Sequence, residues 1–358
     1  MRLPETPHPA VVFTNGLLDD DHAKTCHGIL RGSRRFRAVS VLDHLAAGRD
    51  AGEVMDGKRL GVPVFASLDA FVAAGNALPT YFIVGVGFAG GRLPLSARPE
   101  IVSALQRGMT VVNGLHQLLG DDPELRAIAE AHGGSFLDIR RPRPVSELRY
   151  WTGEIREVKA RAIAVLGTDC AIGKRTTAKF LADACNGAGL RAEMIYTGQT
   201  GWMQGHRHGF LFDTTVNDFI GGEIERALLE CDRESKPEVM FIEGQSALRN
   251  PSGPCGSEFI LSGNARAVIL QHSPARTHFI SHDPPEAEVP SPEDEIPLLN
   301  AYGARVLAVT INESGWSRER LDAYRDDLER RLGIPVVFPL RGEVARLIPV
   351  VRAYVAGV

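Results

Sequence analysis

The chain has 358 residues, of which 44% are hydrophobic and 23% charged, a composition typical of a soluble globular protein with two domains. Its net charge of −4 gives no reason to expect nucleic acid or an acidic membrane surface as a partner. The cysteines are odd in number and form no CxxC pair, so neither a disulfide framework nor a zinc ribbon is indicated. There is no apolar signal core and no run of about 20 apolar residues, so we expect a cytoplasmic protein.

The first 140 residues alternate short apolar strands with helices. Strands are predicted at 9–14, 36–42, 62–66, 80–86, 109–113 and 135–139, and helices at 23–30, 68–74, 99–107 and 122–131. This alternation predicts a doubly wound, mostly parallel sheet, and we assign 1–140 to a Rossmann-like domain. Ligands of such sheets bind at the carboxyl ends of the strands.

A glycine pattern follows the fourth predicted strand. Gly85, Gly87 and Gly90 have the spacing of a dinucleotide fingerprint, but Arg92-Leu93-Pro94 follows at once and no helix starts at the third glycine. The pattern therefore fits either a flexible connecting loop or a nicotinamide dinucleotide site, and we favour the loop.

The segment 141–160 is predicted to be a linker. Prolines at 142 and 144 interrupt regular structure, and arginines stand at 140, 141 and 143. Two interpretations of these arginines stay open, namely solvation of the segment or contact with an anionic ligand.

A phosphate-binding loop is predicted where an apolar strand at 162–166 meets a helix at 174–185. Its residues are Gly167, Thr168, Asp169, Cys170, Ala171, Ile172, Gly173, Lys174, Arg175, Thr176 and Thr177. Backbone N–H groups, the helix N-terminus and the Lys174 ammonium together favour a bound phosphate. The usual pattern is G-x-x-x-x-G-K-[ST]. Here Thr168 occupies the first glycine position and Arg175 replaces the Ser or Thr that binds Mg²⁺, so we expect phosphate binding and doubt nucleotide hydrolysis.

The rest of the chain continues the strand–helix alternation, so we assign 161–358 to a P-loop α/β domain. Strands are predicted at 191–196, 238–242, 267–270, 305–311 and 335–339, helices at 221–229, after Ser317 and at 344–355, and a surface loop at 282–297.

Polar residues follow several of these strands. Glu243 ends a buried strand, where a general base or a magnesium carboxylate would lie, and His272 ends the next one. Each also has a plain structural interpretation, a solvated glutamate or a histidine satisfied by a neighbour. Two glycine-bounded loops at 197–202 and 205–209 are candidates to face a substrate.

These motifs together resemble a known family. The string Gly167-Thr168-Asp169-Cys170-Ala171-Ile172-Gly173-Lys174, followed by Thr197-Gly198-Gln199-Thr200-Gly201, Glu243-Gly244-Gln245 and Gln271-His272, is similar to that of the bacterial D-glutamate N-acetyltransferase family. The offset Gly-Thr-Asp loop also resembles that of dethiobiotin synthetase. The segment 246–251 departs from the glycine- and histidine-bearing sequence that the family would have there.

The resemblance implies acetyl-CoA as the acetyl donor and D-glutamate or a related amino acid as the acceptor. A phosphate loop can hold the pyrophosphate of coenzyme A without cleaving it. Acyl transfer needs a general base and donors for the thioester oxyanion. Catalytic candidates are Glu243, His272 and Lys174, and substrate-binding candidates are Gln199, Thr200, Arg207 and Arg249. No resident metal is expected.

The main alternative is an ATP-dependent, ligase- or kinase-like enzyme that uses Mg-ATP at the loop. It would place Glu243 and Asp169 near the metal, and Arg175 argues against it. A nucleotide sensor without turnover and an NAD-linked oxidoreductase are weaker alternatives. The expected partners are a small amino-acid substrate and further copies of the chain, with no nucleic acid and no membrane.

Overall fold

The computed structural model describes residues 7–280 and 287–357, and the chain divides into two compact units. Unit 1 takes in the chain up to Pro142 together with Gln199–His206, and unit 2 contains Arg143–Gly198 and the chain from Arg207 onward. The segment Gln199–His206 thus belongs to unit 1, although it lies between two parts of unit 2 in the sequence. The predicted boundaries at 140 and 160 stay predictions.

The described residues form twelve strands and twelve α-helices. The strands are β1 (His8–Phe13), β2 (Phe36–Leu42), β3 (Val64–Phe65), β4 (Tyr81–Val84), β5 (Thr110–Asn113), β6 (Ser135–Asp138), β7 (Arg161–Gly167), β8 (Ala192–Ile195), β9 (Val239–Glu243), β10 (Ala267–His272), β11 (Arg305–Ile311) and β12 (Val336–Val337). The helices are α1 (Lys24–Leu30), α2 (Ala51–Asp56), α3 (Leu68–Ala73), α4 (Arg98–Gln106), α5 (Pro123–His132), α6 (Lys174–Gly187), α7 (Gln199–Met203), α8 (Asn217–Glu234), α9 (Ser257–Leu261), α10 (Pro292–Ala301), α11 (Arg318–Leu332) and α12 (Ile348–Ala356).

Unit 1 is built on a parallel sheet with the strand order β3-β2-β1-β4-β5-β6. This is the order of a dinucleotide-binding doubly wound sheet, in which the direction of winding reverses between β1 and β4. The strands are apolar and buried because helices cover both faces of such a sheet. After β4, the pattern Gly85-x-Gly87-x-x-Gly90 leads into a short 3-10 turn at Ala89–Gly91, and α4 begins only at Arg98, so no α-helix starts at the third glycine.

Unit 2 is built on a second parallel sheet, with the order β12-β11-β10-β7-β9-β8. Separate clusters of buried apolar side chains cover its two faces. Strand β7 lies between β9 and β10, so the segments that follow these three strands leave the same edge of the sheet side by side. The two parallel sheets confirm the predicted α/β fold class.

The segment that begins at Arg143 is hydrogen-bonded to α8. Arg143 Nη1 donates to the buried carboxylate of Glu223 over 2.6 Å, and the backbone N–H of Arg149 donates to the same side chain over 3.2 Å. A Cβ at Gly222 would lie 1.9 Å from the carbonyl oxygen of Arg149, so only glycine allows this close approach inside the helix. Arg143 therefore holds this part of the predicted linker against α8, within unit 2.

The predicted surface loop at 282–297 is wrong from Pro292 onward, where α10 begins. Ser291 and Asp294 form a capping box, and Pro292 occupies the first helical turn, both of which favour helix initiation. Residues 282–286 of that prediction lie outside the described residues. Helix α10 contains Pro297 and only three buried residues, which explains why its apolar periodicity is weak. Within 7–280 and 287–357, no helix is long and apolar enough to cross a membrane.

Candidate functional site

The predicted phosphate loop connects the central strand β7 to α6. Ala171 and Gly173 both adopt positive φ angles, of 51° and 108°, which turn the chain sharply between strand and helix. Gly173 is the N-cap of α6 and contributes no side-chain acceptor to the first turn. The first N–H groups of a helix have no partner within the helix, and together with the helix dipole they favour an anion at this end.

The Lys174 side chain is buried across this loop. Its ammonium donates to the backbone oxygen of Asp169 over 2.5 Å and to that of Ser246 over 2.7 Å, and only 6% of the residue is exposed. Ser246 has a φ of 41° and follows β9, so the lysine connects the loop after β7 to the loop after β9. A full positive charge is thereby held at the start of α6.

Asp169 connects the loop to two other segments. Its carboxylate is fully buried and accepts four hydrogen bonds, at 2.6 to 3.2 Å, whose donors are Cys170 N, Asn250 Nδ2, Arg276 Nη1 and Ile280 N. Arg276 also donates to the backbone oxygen of Cys170 over 2.7 Å. Because these bonds occupy the carboxylate, Asp169 fixes the shape of the loop and of the segments after β9 and β10.

Thr176 and Thr177 follow Arg175, which holds the position of the usual magnesium-binding hydroxyl. Thr177 Oγ1 donates to Gln271 Oε1 over 2.6 Å, and Thr310 Oγ1 donates to the same oxygen over 2.6 Å. The Thr177 hydroxyl is therefore bound to the end of β10. Thr176 is 9% exposed, and Arg175, which holds the usual Ser/Thr position, is half-buried.

Glu243 ends β9 and is 6% exposed. One carboxylate oxygen accepts from the backbone N–H groups of Thr197, over 2.9 Å, and of Gly198, over 3.2 Å. Thr197 Oγ1 donates to the Glu243 backbone oxygen, and Gln245 Nε2 donates to that hydroxyl. Glu243 thus binds the turn that follows β8, which is separated from β7 by β9.

His272 ends β10, on the other side of β7. Its Nδ1 lies 3.0 Å from Thr168 Oγ1, and its ring stacks on Tyr324 with centroids 6.0 Å apart. Burial lowers the pKa of His272 from its ordinary 6.5 to about 4. The ring is therefore neutral at pH 7 and contacts the first residue after β7.

The predicted substrate-binding residues belong to two different units. Arg249 lies in unit 2 close to the loop, where its Nε donates to Glu295 over 2.6 Å. Arg207 is exposed and pairs with Glu234 on the surface of unit 2. Gln199 and Thr200 belong to unit 1, where Thr200 Oγ1 lies 2.9 Å from Thr25 Oγ1. Their roles stay predictions.

Sequence reasoning gave no role to Asn250, Gln271 or Arg276, which make many of the contacts around the loop. Asn250 and Arg276 follow strands that neighbour β7, and Gln271 is the next-to-last residue of one of them, so their position is a signal that could have identified them. Across 7–280 and 287–357, no three His, Cys, Asp or Glu side chains are grouped closely enough to hold a metal ion.

Comparison with known proteins agrees with this architecture. Residues 149–348 match the family model described as the DUF1611 P-loop domain, and residues 45–142 match the one described as the DUF1611 Rossmann-like domain. The predicted pairing of a Rossmann-like with a P-loop domain is confirmed. A crystal structure of a DUF1611 family protein from Anabaena variabilis is 25% identical and has a TM-score of 0.85, covering 96% of this chain and 99% of the other.

Two curated relatives are named D-glutamate N-acetyltransferase, which confirms the predicted resemblance. The protein from Tritonibacter scottomollicae is 29% identical over 83% of this chain and 87% of its own length. The protein from a Pseudoalteromonas species is 30% identical over 75% of this chain and 80% of its own length.

Proposed function

The chain belongs to the DUF1611 family, and we propose that it is an N-acetyltransferase that transfers an acetyl group from acetyl-CoA to the amine of D-glutamate or a related amino acid. The names of the two relatives support the reaction type. The observation that carries the donor assignment is the loop at 167–177, which offers a buried ammonium and a helix N-terminus to a polyphosphate.

The proposed role of the loop is to hold the phosphates of coenzyme A without cleaving them. Lys174 and the start of α6 would bind the pyrophosphate, with the Lys174 ammonium exchanging a backbone oxygen for a phosphate oxygen. Arg175 stands where a magnesium-binding hydroxyl is usual, and the Thr177 hydroxyl is bound to Gln271. Both features favour a loop that binds a polyphosphate over one that hydrolyses it.

The chemistry requires an amine that has lost its proton. The amine nitrogen forms a bond to the thioester carbon, the carbon–sulfur bond breaks, and the coenzyme A thiolate leaves and takes up a proton. Glu243 and His272 are the proposed bases, because each lies at the end of a strand beside β7. Burial lowers the pKa of His272 to about 4, so its ring would be a weak base at pH 7. Backbone N–H groups or Gln199 are proposed to stabilise the oxyanion, and Arg207 or Arg249 is proposed to bind the acceptor carboxylate.

A second candidate is an ATP-dependent enzyme that uses Mg-ATP. It is favoured by one observation, the carboxylate of Glu243 at the end of the strand next to the loop. It requires a magnesium ligand that Arg175 does not provide. We rank it below acetyl transfer.

Two further expectations remain proposals. We propose a cytoplasmic enzyme, in keeping with five cysteines that are all within the described residues and all unpaired. We also propose that it assembles with copies of itself.

The test is product identification. The purified protein is incubated with acetyl-CoA and, separately, D-glutamate, L-glutamate, D-aspartate or D-glutamine, and the products are resolved by chiral chromatography and mass spectrometry. The proposal expects an N-acetylated amino acid, with D-glutamate or a close analogue as the preferred acceptor. Absence of N-acetyl product with every amino acid, at high protein concentration, would contradict it.

A further inference from the structure

A cavity of about 630 Å³ opens on unit 2. Its lining residues come from three segments of the chain: Arg249 and Pro251 follow β9, Phe279 follows β10, and Ser291 and Asp294 lie at the start of α10. Its volume is in the range of cavities that hold small molecules, and it is ample for an amino acid. The sequence reasoning singled out Arg249 but gave no indication of this cavity.

The cavity is connected to the loop through Asp169. Asn250, the neighbour of Arg249, donates to one oxygen of that carboxylate over 3.2 Å. Ile280, the neighbour of Phe279, donates its backbone N–H to the other oxygen over 2.9 Å. Two of the lining segments are therefore hydrogen-bonded to the same buried side chain of the loop, each through the residue next to a lining residue.

The charges that line the cavity suit an amino acid better than a polyphosphate. Arg249 is the one cationic side chain among the lining residues, all of which are described, whereas Glu288 and Asp294 are acidic. Two carboxylates would repel the several negative charges of coenzyme A. A molecule with a carboxylate and an ammonium group can place the carboxylate at Arg249 and the ammonium toward the acidic side.

Glu295 holds Arg249 in a defined orientation. It is 1% exposed and accepts from Arg249 Nε over 2.6 Å. Among the described residues, the Arg249 guanidinium makes this hydrogen bond through Nε. Its two terminal nitrogens lie at the half-exposed end of the side chain, where they can bind a ligand. An arginine fixed through Nε presents those nitrogens as a fork that matches a carboxylate.

We propose that this cavity is the acceptor subsite, in which Arg249 binds the carboxylate of an amino acid and Glu295 is a positioning residue. The inference rests on the proposed function for its choice of ligand. It divides the site into a loop that holds the donor and a separate cavity that holds the acceptor. Asp169 connects the two.

Direct binding tests the proposal independently of turnover. D-glutamate is titrated calorimetrically into the wild-type protein, Arg249→Ala, Arg249→Lys, and the exposed control Arg318→Ala. We expect D-glutamate to bind the wild type and Arg318→Ala alike, and to bind Arg249→Ala roughly 10- to 100-fold more weakly, with Arg249→Lys in between. Unchanged binding by Arg249→Ala, or no binding of D-glutamate, L-glutamate and D-aspartate to the wild type, would overturn the proposal.

Kinetics separate the subsite from a general defect. In acetyl transfer, Arg249→Ala should raise the KM for the acceptor and leave the KM for acetyl-CoA within about twofold. Glu295→Gln keeps an oxygen acceptor for Nε and should raise the acceptor KM less than Arg249→Ala does, with kcat nearly unchanged. Stabilisation of each variant by acetyl-CoA in a thermal shift shows that the fold is intact. If the wild type binds D-glutamate through Arg249 but transfers no acetyl group, the subsite stands and the proposed function fails.

Discussion

Thr177 Oγ1 donates to the side-chain oxygen of Gln271 over 2.6 Å, and this bond joins the first turn of α6 to the end of β10. Gln271 Oε1 also accepts from Thr310 Oγ1, so one amide oxygen satisfies two buried hydroxyl groups. The Thr177 hydroxyl is therefore already engaged in a hydrogen bond that holds α6 against β10. The loop therefore differs from a magnesium-dependent phosphate loop in its contacts as well as in its sequence.

Thr177→Val should affect stability more than function. It removes one buried hydrogen bond, which costs about 1 kcal/mol, and leaves Gln271 with Thr310 as a donor. Acetyl transfer should stay within a few-fold of the wild type, and denaturant unfolding measures the loss of stability. Thr177→Ser is the matched control. A variant that unfolds like the wild type but loses a Mg²⁺-dependent activity, while Thr177→Ser keeps it, would point to a magnesium ligand.

Lys174→Ala should weaken acetyl-CoA binding. The ammonium is the buried cation of the loop, and loss of a charge-assisted hydrogen bond to phosphate is worth roughly 10- to 100-fold in affinity. Calorimetric titration with acetyl-CoA and with desulfo-acetyl-CoA measures this change in affinity. Lys179→Ala is the matched control, because Lys179 lies on the same helix and pairs with Asp183. Equal losses in the two variants would refute a special role for Lys174.

Glu243→Gln should lower kcat by roughly 10²- to 10⁴-fold, as expected for loss of a general base. The amide oxygen can still accept from the N–H groups of Thr197 and Gly198, so the turn after β8 should keep its shape. Steady-state kinetics measures kcat, and a thermal melt of the same variant checks that the fold is kept. The same two measurements are made on His272→Asn for comparison. Full turnover in both variants would show that neither residue is the base.

His272 should make the protein less stable in mild acid. Its pKa is about 4 in the folded protein and near 6.5 in the unfolded chain, so the unfolded chain takes up the proton first as pH falls. The free energy of unfolding should therefore fall between pH 6.5 and 4, by up to about 3 kcal/mol from this group. Urea unfolding of the wild type and His272→Asn at pH 7.5 and 5 measures the difference. An identical pH dependence in both proteins would contradict the buried neutral ring.

Much of the fold follows from local patterns in the sequence. The apolar strands β2 and β11 match their predicted ranges, and β7 and α6 match theirs to within two residues, because buried parallel strands and a glycine-bounded helix start are strong local signals. Helices α2, α7 and α9 were not predicted. They have five or six residues, too few for a periodic apolar face to emerge.

The contacts around the loop could not be predicted from the sequence, for a different reason. Asp169 is 81 positions from Asn250 and 107 from Arg276, and such pairings depend on which strands become neighbours in the sheet. Strand order in a doubly wound sheet is set by tertiary packing. The sequence could indicate the edge of the sheet where Glu243 and His272 lie, but not that Arg249 faces a cavity.

We propose above all that the loop at 167–177 holds a polyphosphate intact while an acetyl group is transferred. Thiol release and phosphate release are followed in parallel, with acetyl-CoA and D-glutamate in one reaction and Mg-ATP and D-glutamate in another. We expect thiol release that depends on the amino acid and on Lys174, and no release of phosphate above background. Steady phosphate release from ATP without any thiol release from acetyl-CoA would contradict it.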